Sequence, residues 1–185
     1  MLRWAAKRLA MKLVHGFALI FFEGEYLRGR YFDGTLTGYR WCLRSIWLKN
    51  ILRLSRPLPW PTALTCRISN PENLIFDPDD INNFQSGGTY FQNFNAKIVI
   101  GKGSYIAPNV GIITSNHTLG DLSAHSEGRD VVIGDECWIG FGAVILPGVK
   151  LCRGTVVAAG AVVAKSFDVE RVVLAGVPAK VVKYY

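Results

Sequence analysis

The chain has 185 residues, half of them hydrophobic, and a mean hydropathy of +0.21, enough apolar material for a packed domain and too much for a disordered chain. Its net charge of +7 is uneven: residues 1–60 carry 11 Lys and Arg against 3 Asp and Glu, net +8, while residues 61–185 carry 10 against 11, net −1. Basicity confined to one aromatic end argues against a nucleic-acid partner and for a membrane surface or an acidic partner at that end.

Residues 2–22 are predicted as a helix. At about 100° per residue, Leu2, Leu9, Leu13 and Ile20 share one face with Ala6 and Phe17 beside them, and Arg8, Lys12 and His15 lie opposite. Two readings stay open: a helix packed on its own protein or a neighbouring subunit, and a helix lying on anionic lipid. The apolar run from Leu13 to Phe22 is too short for a bilayer span, which needs about 20 residues. No small-residue cleavage site follows it, so a secretory leader is not expected. Residues 23–50 mix aromatic with basic residues, and Gly24, Gly29, Gly34 and Gly38 argue against one long helix there. "RPLPWP", Arg56 to Pro61, is a stiff connector, dividing a basic segment 1–60 from a domain 61–185. Cys42, Cys66, Cys137 and Cys152 form no CxxC pair and have no histidine at metal-ligand spacing, which fits a reduced, cytosolic chain with buried thiols.

Beyond the connector a repeat sets in. Ile100, Ile106 and Ile112 are six apart; so are Ile133, Ile139, Ile145, Leu151, Val157 and Val163, and Ile68 and Leu74 suggest a rougher start. The following position is often small: Gly101, Ala107, Gly134, Gly140, Ala158, Ala164. A period of six fits neither a helix nor a simple strand. It predicts a coil of short flat strands and tight corners, each aliphatic residue pointing inward and the small neighbour letting the backbone turn. The basic segment would cap one end, and a helix or tail from "AGVPAKVVKYY" would close the other. Between Ile112 and Ile133 the beat is lost over 21 residues, three more than three repeats, which predicts a polar flap carrying His117 and His125.

The stretches "IGKGSYIAPNVGIITSNH", "VVIGDECWIGFGAVILPGVKL", "VVAAGAVVAKSF" and "LAGVPAKVVK" resemble the hexapeptide-repeat acyltransferases over roughly residues 90–183. The branch they are similar to includes galactoside and maltose acetyltransferases and bacterial polysaccharide O-acetyltransferases. The resemblance implies a mainly β fold, a left-handed parallel β-helix of triangular section, assembled as a homotrimer with acetyl-CoA in the groove between subunits. It also implies a carbohydrate acceptor and a cytoplasmic enzyme. Residues 1–60 are similar to the longer polysaccharide enzymes, and the expectation is that residues 1–50 touch the inner face of the membrane where lipid-linked glycan is assembled.

The chemistry stands beside that resemblance. A hydroxyl attacks a thioester only as its proton leaves, and histidine, with an ordinary pKa of about 6.5, suits the base. The thioester is already activated, so direct attack suffices without a metal or covalent intermediate, and a backbone N–H would hold the oxyanion. His117, closing "TSNH", matches the family's catalytic base; His125 reads as a bystander. In "NFN", Asn93 best fits the family's side-chain amide at the active site, with a plain corner residue as the alternative. Trp138 of "WIG" would wall the acceptor or pantetheine pocket, or occupy a corner. Phe141 and Ala159 would lend backbone atoms to pantetheine, although Phe141 stands where the family has a small residue. Ala164 and Lys165 would lie by the adenosine end and Lys180 by a phosphate. The alternatives are an N-acetyltransferase acting on an amino sugar or nucleotide sugar, and a non-catalytic coil scaffold. A three-histidine zinc site of the γ-carbonic anhydrase kind is not expected, since the third histidine, His15, lies far outside the repeat.

Overall fold

The computed structural model describes residues 2–185, with side chains from Leu9 onward, so Leu2, Ala6 and Arg8 of the predicted helix face lie outside the described side chains. The chain divides into two compact units, Met1–Thr65 and Cys66–Tyr185.

The first unit is helical. Helix α1 spans Leu2–Ala18, ending short of the predicted stop at Phe22. Helix α2, Thr37–Ser45, runs straight into a π-helical turn, Ile46–Ile51. The glycine punctuation therefore marks irregular backbone only as far as Gly34, and Gly38 lies in the first turn of α2. A Cβ on Gly38 would fall 2.5 Å from the Phe32 ring, so glycine there is what lets Phe32 enter the core. Phe32 packs edge-on against Tyr39, and Tyr26 lies tilted by 50° against Trp60. Trp60 and Leu58 are buried and the Pro59 carbonyl accepts from Glu23 N–H at 2.9 Å. "RPLPWP" is thus part of this unit's core rather than a bare connector. Buried Lys49 donates to Thr62 Oγ1 at 2.5 Å, giving its ammonium a partner inside the unit.

The second unit is a parallel coil. Its strands are β1 (Arg67–Ile68), β2 (Leu74–Ile75), β3 (Tyr90–Gln92), β4 (Ile98–Ile100), β5 (Tyr105–Ile106), β6 (Gly111–Ile113), β7 (His117–Thr118) and β8 (Asp121–His125). They continue with β9 (Val131–Ile133), β10 (Trp138–Ile139), β11 (Val144–Ile145), β12 (Lys150–Leu151), β13 (Val156–Val157), β14 (Val162–Val163), β15 (Val172–Gly176) and β16 (Ala179–Tyr184). Three sheets form the walls: β1-β3-β6-β11-β14, then β2-β4-β9-β12, then β5-β10-β13-β15, which β16 extends. Every strand pair in these walls is parallel except β15–β16.

The six-residue beat is the step from wall to wall. Ile133 stacks on Leu151, Ile139 on Val157 and Ile145 on Val163, each partner three beats on and one full turn away. These side chains are fully or almost fully buried, and each contributes about 2 kcal/mol of hydrophobic stabilisation. The small residue after each aliphatic has a different reason from the one expected. A Cβ on Gly101 would lie 2.4 Å from the Gly134 carbonyl carbon, and one on Gly140 would lie 2.7 Å from Ala159 N. Close stacking of successive turns excludes the side chain. The turning itself falls three positions after the aliphatic, where Gly142 and Gly160 have φ of 65° and 69° and Asn109 and Glu136 adopt the same left-handed region.

The two coil ends close differently. In place of a strand under β5, the 3-10 turns of Pro78–Phe84 close that wall. Asn83 there donates to Ser104 O and accepts from Ile106 N–H, imitating a strand edge. At the other end the predicted helix or tail is a strand: β16 folds back antiparallel on β15. Val172 and Leu174 are buried, and alternation along β15 is a two-residue pattern that no helix would satisfy.

Candidate functional site

The register across the broken beat measures the flap. An uninterrupted turn takes three beats, as from Ile133 to Leu151. Ile100 pairs with Ile133, Ile106 with Ile139 and Ile112 with Ile145, so the turn that holds the flap takes five and a half. The flap therefore adds two and a half beats of chain, not half of one, all at the corner between β6 and β9.

This extra chain is an ordered antiparallel hairpin. β7 and β8 turn through Leu119–Gly120, and His117 lies directly opposite His125. Lower down, Ser126 N–H donates to Asn116 O and Arg129 N–H to Thr114 O, both at 2.8 Å. At the root, Thr114 and Ser115 are buried and held by Gln92 from β3. Gln92 Oε1 accepts from the Thr114 and Ser115 amides at 2.9 and 3.1 Å, and its Nε2 donates to Ser115 O at 3.0 Å. Gly128 is needed where the hairpin returns, because a Cβ there would meet Ala96 Cβ at 2.9 Å and the Asn95 carbonyl at 3.0 Å. Near the tip, Asp121 accepts from the Ser123 hydroxyl and amide, and these bonds hold its carboxyl below the ordinary carboxylate range.

His117 stands exposed just beyond the buried root. Its ring lies 4.3 Å from the His125 ring, centroid to centroid, tilted by 35°, and Phe94 meets His125 edge-on at 5.0 Å. Three rings thus form a column on the coil's edge. The ring of His125, read from the sequence as a bystander, packs directly against that of His117. Sequence reasoning had no means to find the contact, or the anchor that Gln92 supplies from the preceding turn.

Asn93 is fully buried, and its amide is committed to the corner: Oδ1 accepts from Asn70 N–H at 3.0 Å and Nδ2 donates to Asn70 O at 2.7 Å. Of the two asparagines in "NFN", Asn95 is the exposed one, at the foot of the flap against Gly128. Trp138 is exposed on the outside of the β5-β10-β13-β15 wall. Phe141 and Ala159 occupy one edge of the coil in successive turns, where Gly160 N–H donates to the Phe141 carbonyl at 2.8 Å. Ala164 and Lys165 are exposed on a different edge, the one from which the flap springs. The Lys165 ammonium lies 5.8 Å from the Phe167 ring. Two turns separate Lys165 from the flap root, about 10 Å at ordinary strand spacing. Lys180 is exposed on β16, opposite Ala175. The third histidine, His15, belongs to the first unit and bonds the Tyr39 hydroxyl through Nδ1 at 3.3 Å.

Residues 130–165 match the model of the bacterial transferase hexapeptide family, six repeats. A Saccharomyces cerevisiae protein named provisionally as an acetyltransferase is 40% identical over 126 residues, 60% of this chain and 63% of its own. The galactoside O-acetyltransferase of Escherichia coli is 36% identical over 110 residues, 55% of this chain and 54% of its own. The chain thus spans between half and two thirds of the length of these curated relatives. Among solved structures, a galactoside acetyltransferase in complex with coenzyme A aligns with a TM-score of 0.56 at 27% identity, covering 68% of this chain and 61% of that one. The chain resembles the hexapeptide-repeat acyltransferases, and its named relatives are acetyltransferases.

Proposed function

We propose that this chain is an acetyl-CoA-dependent O-acetyltransferase that passes an acetyl group directly to a carbohydrate hydroxyl, with His117 as general base. The observation that carries the reading is the placement of His117: an exposed imidazole on a hairpin rooted by buried Gln92, at the edge of a coil whose relatives are acetyltransferases. The acceptor hydroxyl gives its proton to a ring nitrogen of His117 while its oxygen bonds to the thioester carbonyl carbon. The tetrahedral oxyanion then collapses, the C–S bond breaks, and the leaving thiolate takes the proton back from the imidazolium. His125, braced by Phe94, orients the base. With the Asn93 amide spent on Asn70, the exposed amide of Asn95 is the better candidate to meet the acceptor.

The coil is read as left-handed and the enzyme as a homotrimer. Support for the trimer comes from the edges. His117 and Lys165 share one edge of the coil while Phe141 and Ala159 share another. A whole sheet separates them, so a groove using both sets needs edges from two copies. In that groove Phe141 and Ala159 would offer backbone groups to pantetheine, Ala164 and Lys165 would meet the adenosine end, and Lys180 a phosphate. Trp138 would wall the pocket. Exposed positions along the coil and two exposed ammonium groups fit a long, anionic, thiol-bearing donor. The working place is the cytoplasm, with the first unit touching the membrane beside a lipid-linked acceptor.

The test is acetyl-CoA consumption by the full chain against sugars, amino sugars and nucleotide sugars. Transfer to hydroxyls is expected; transfer only to amines would make it an N-acetyltransferase. A thermal shift with acetyl-CoA is also expected, since a ligand bound to the folded state alone raises its stability. Its absence at millimolar donor would favour the scaffold reading.

A further inference from the structure

A soluble helix turns its apolar stripe to the core; α1 carries a second apolar stripe that faces outward. Leu9, Leu13 and Phe17 stand on one stripe with Ile20 just past its end, and all are exposed, Leu13 by 67% and Ile20 by 73%. The residues turned inward are Ala18, fully buried, half-buried Met11 and Val14, and His15, bonded to Tyr39. The helical run Thr37–Ile51 repeats the arrangement. Tyr39, Cys42 and Ile46 are buried, whereas Leu43, Trp47 and Ile51 are exposed. Basic side chains accompany these apolar ones: Arg40 is exposed on α2, three residues before Leu43 and seven before Trp47, and Lys12 is exposed on the flank of α1 beside His15, off the apolar stripe.

We infer that the exposed apolar residues of this first unit, centred on Leu13, Ile20 and Trp47, dock it in the plane of an anionic lipid surface. This deepens the peripheral placement proposed above by naming the surface and the lipid charge, and it rests on that placement but not on the acetyl-transfer chemistry. At 17 residues α1 is shorter than a span, and no described helix is long and apolar enough to cross a membrane. Apolar side chains of this size enter the headgroup boundary, tryptophan prefers that depth, and lysine and arginine reach back to the phosphates. Charge selects the occupant. Residues 1–60 carry net +8, so a second copy of this face would bring the same positive charge against it, and residues 61–185, net −1, offer little to balance it. Anionic lipid complements it directly.

The test is sedimentation of the full chain with phosphatidylcholine vesicles, with and without phosphatidylglycerol. Partition should rise about tenfold or more with phosphatidylglycerol and fall as salt is added. The double variant Leu13→Ser with Ile20→Ser, and separately Trp47→Ser, should each lower partition about tenfold while acetyl transfer to a soluble acceptor stays unchanged. Lys12→Glu with Arg40→Glu reverses two charges without changing the apolar residues, lowers the net charge of residues 1–60 from +8 to +4, and should weaken the phosphatidylglycerol preference. Equal binding to both vesicle types, or variants that bind as the native chain does, overturns the inference. So does a variant that changes oligomeric state in sedimentation velocity but not vesicle binding, because the face would then belong to a second copy. Loss of vesicle binding with acetyl transfer intact supports the docking face; loss of acetyl transfer in the native chain bears on the catalytic reading alone.

Discussion

Replacing His117 with alanine should separate catalysis from folding. The ring is exposed, and the hairpin's ties run through other atoms: Ser126 N–H to Asn116 O, Arg129 N–H to Thr114 O, and the Gln92 side chain to Thr114 and Ser115. What folding loses is one exposed cross-strand pair with His125, on the order of 0.2–1 kcal/mol. A positioned general base accounts for about 10²–10⁴ in rate, roughly 3–5 kcal/mol of barrier, so the catalytic effect exceeds the structural one several-fold. Turnover is followed as release of the coenzyme A thiol at saturating donor, and donor binding as the thermal shift produced by acetyl-CoA. The expected variant keeps its shift and loses at least about a hundredfold in turnover. Turnover within about threefold of the native chain would refute the assignment of the base. Loss of the donor shift would refute the claim that His117 acts on the acceptor's proton rather than on donor binding.

Three further outcomes follow from the same geometry. His125→Ala should reduce kcat about tenfold with little change in KM, and His125→Phe should restore most of it, because stacking needs a ring and not a titrating one; equal failure of both variants would assign His125 a proton. Gln92→Leu leaves the Thr114 amide its bond to the residue-92 carbonyl but strips the Ser115 amide and carbonyl of their side-chain partner in a buried corner, which costs about 1–3 kcal/mol, and should lower kcat while the acetyl-CoA thermal shift persists; native turnover would show the flap root to be self-supporting. Burial pushes the Cys42 thiol up to about 12 from 9.0, which lowers its thiolate fraction roughly a thousandfold below that of an ordinary thiol. Alkylation at mildly alkaline pH, read by intact mass, should therefore spare Cys42 and reach half-buried Cys152 first.

Much of the coil was legible because its rule is local. An aliphatic residue every six positions can meet only one demand, a side chain turned inward at each successive wall, and the chain repeats it from Ile133 to Val163 without a miss. The same regularity made the interruption conspicuous and drew attention to His117. The alternation that makes β15 and β16 a hairpin was legible in principle, but "AGVPAKVVKYY" carries apolar spacing that a helix shares over so short a length.

Tertiary structure decided what depends on partners distant in sequence. Ile112 pairs with Ile145, and only that pairing shows two and a half beats extruded where counting along the chain suggested half of one. Asn93 and Asn95 look alike in "NFN"; Asn70, from an earlier turn, consumes one amide and leaves the other at the foot of the flap. The α1 stripe was equally readable as core or as surface, because periodicity says which residues share a face and not what that face meets. The choice fell to His15 and Ala18, which pack inward and turn Leu13 and Ile20 out. Spacing along the chain sets direction, whereas burial depends on which other segments arrive to cover a face. That supply of neighbours is a property of the whole fold.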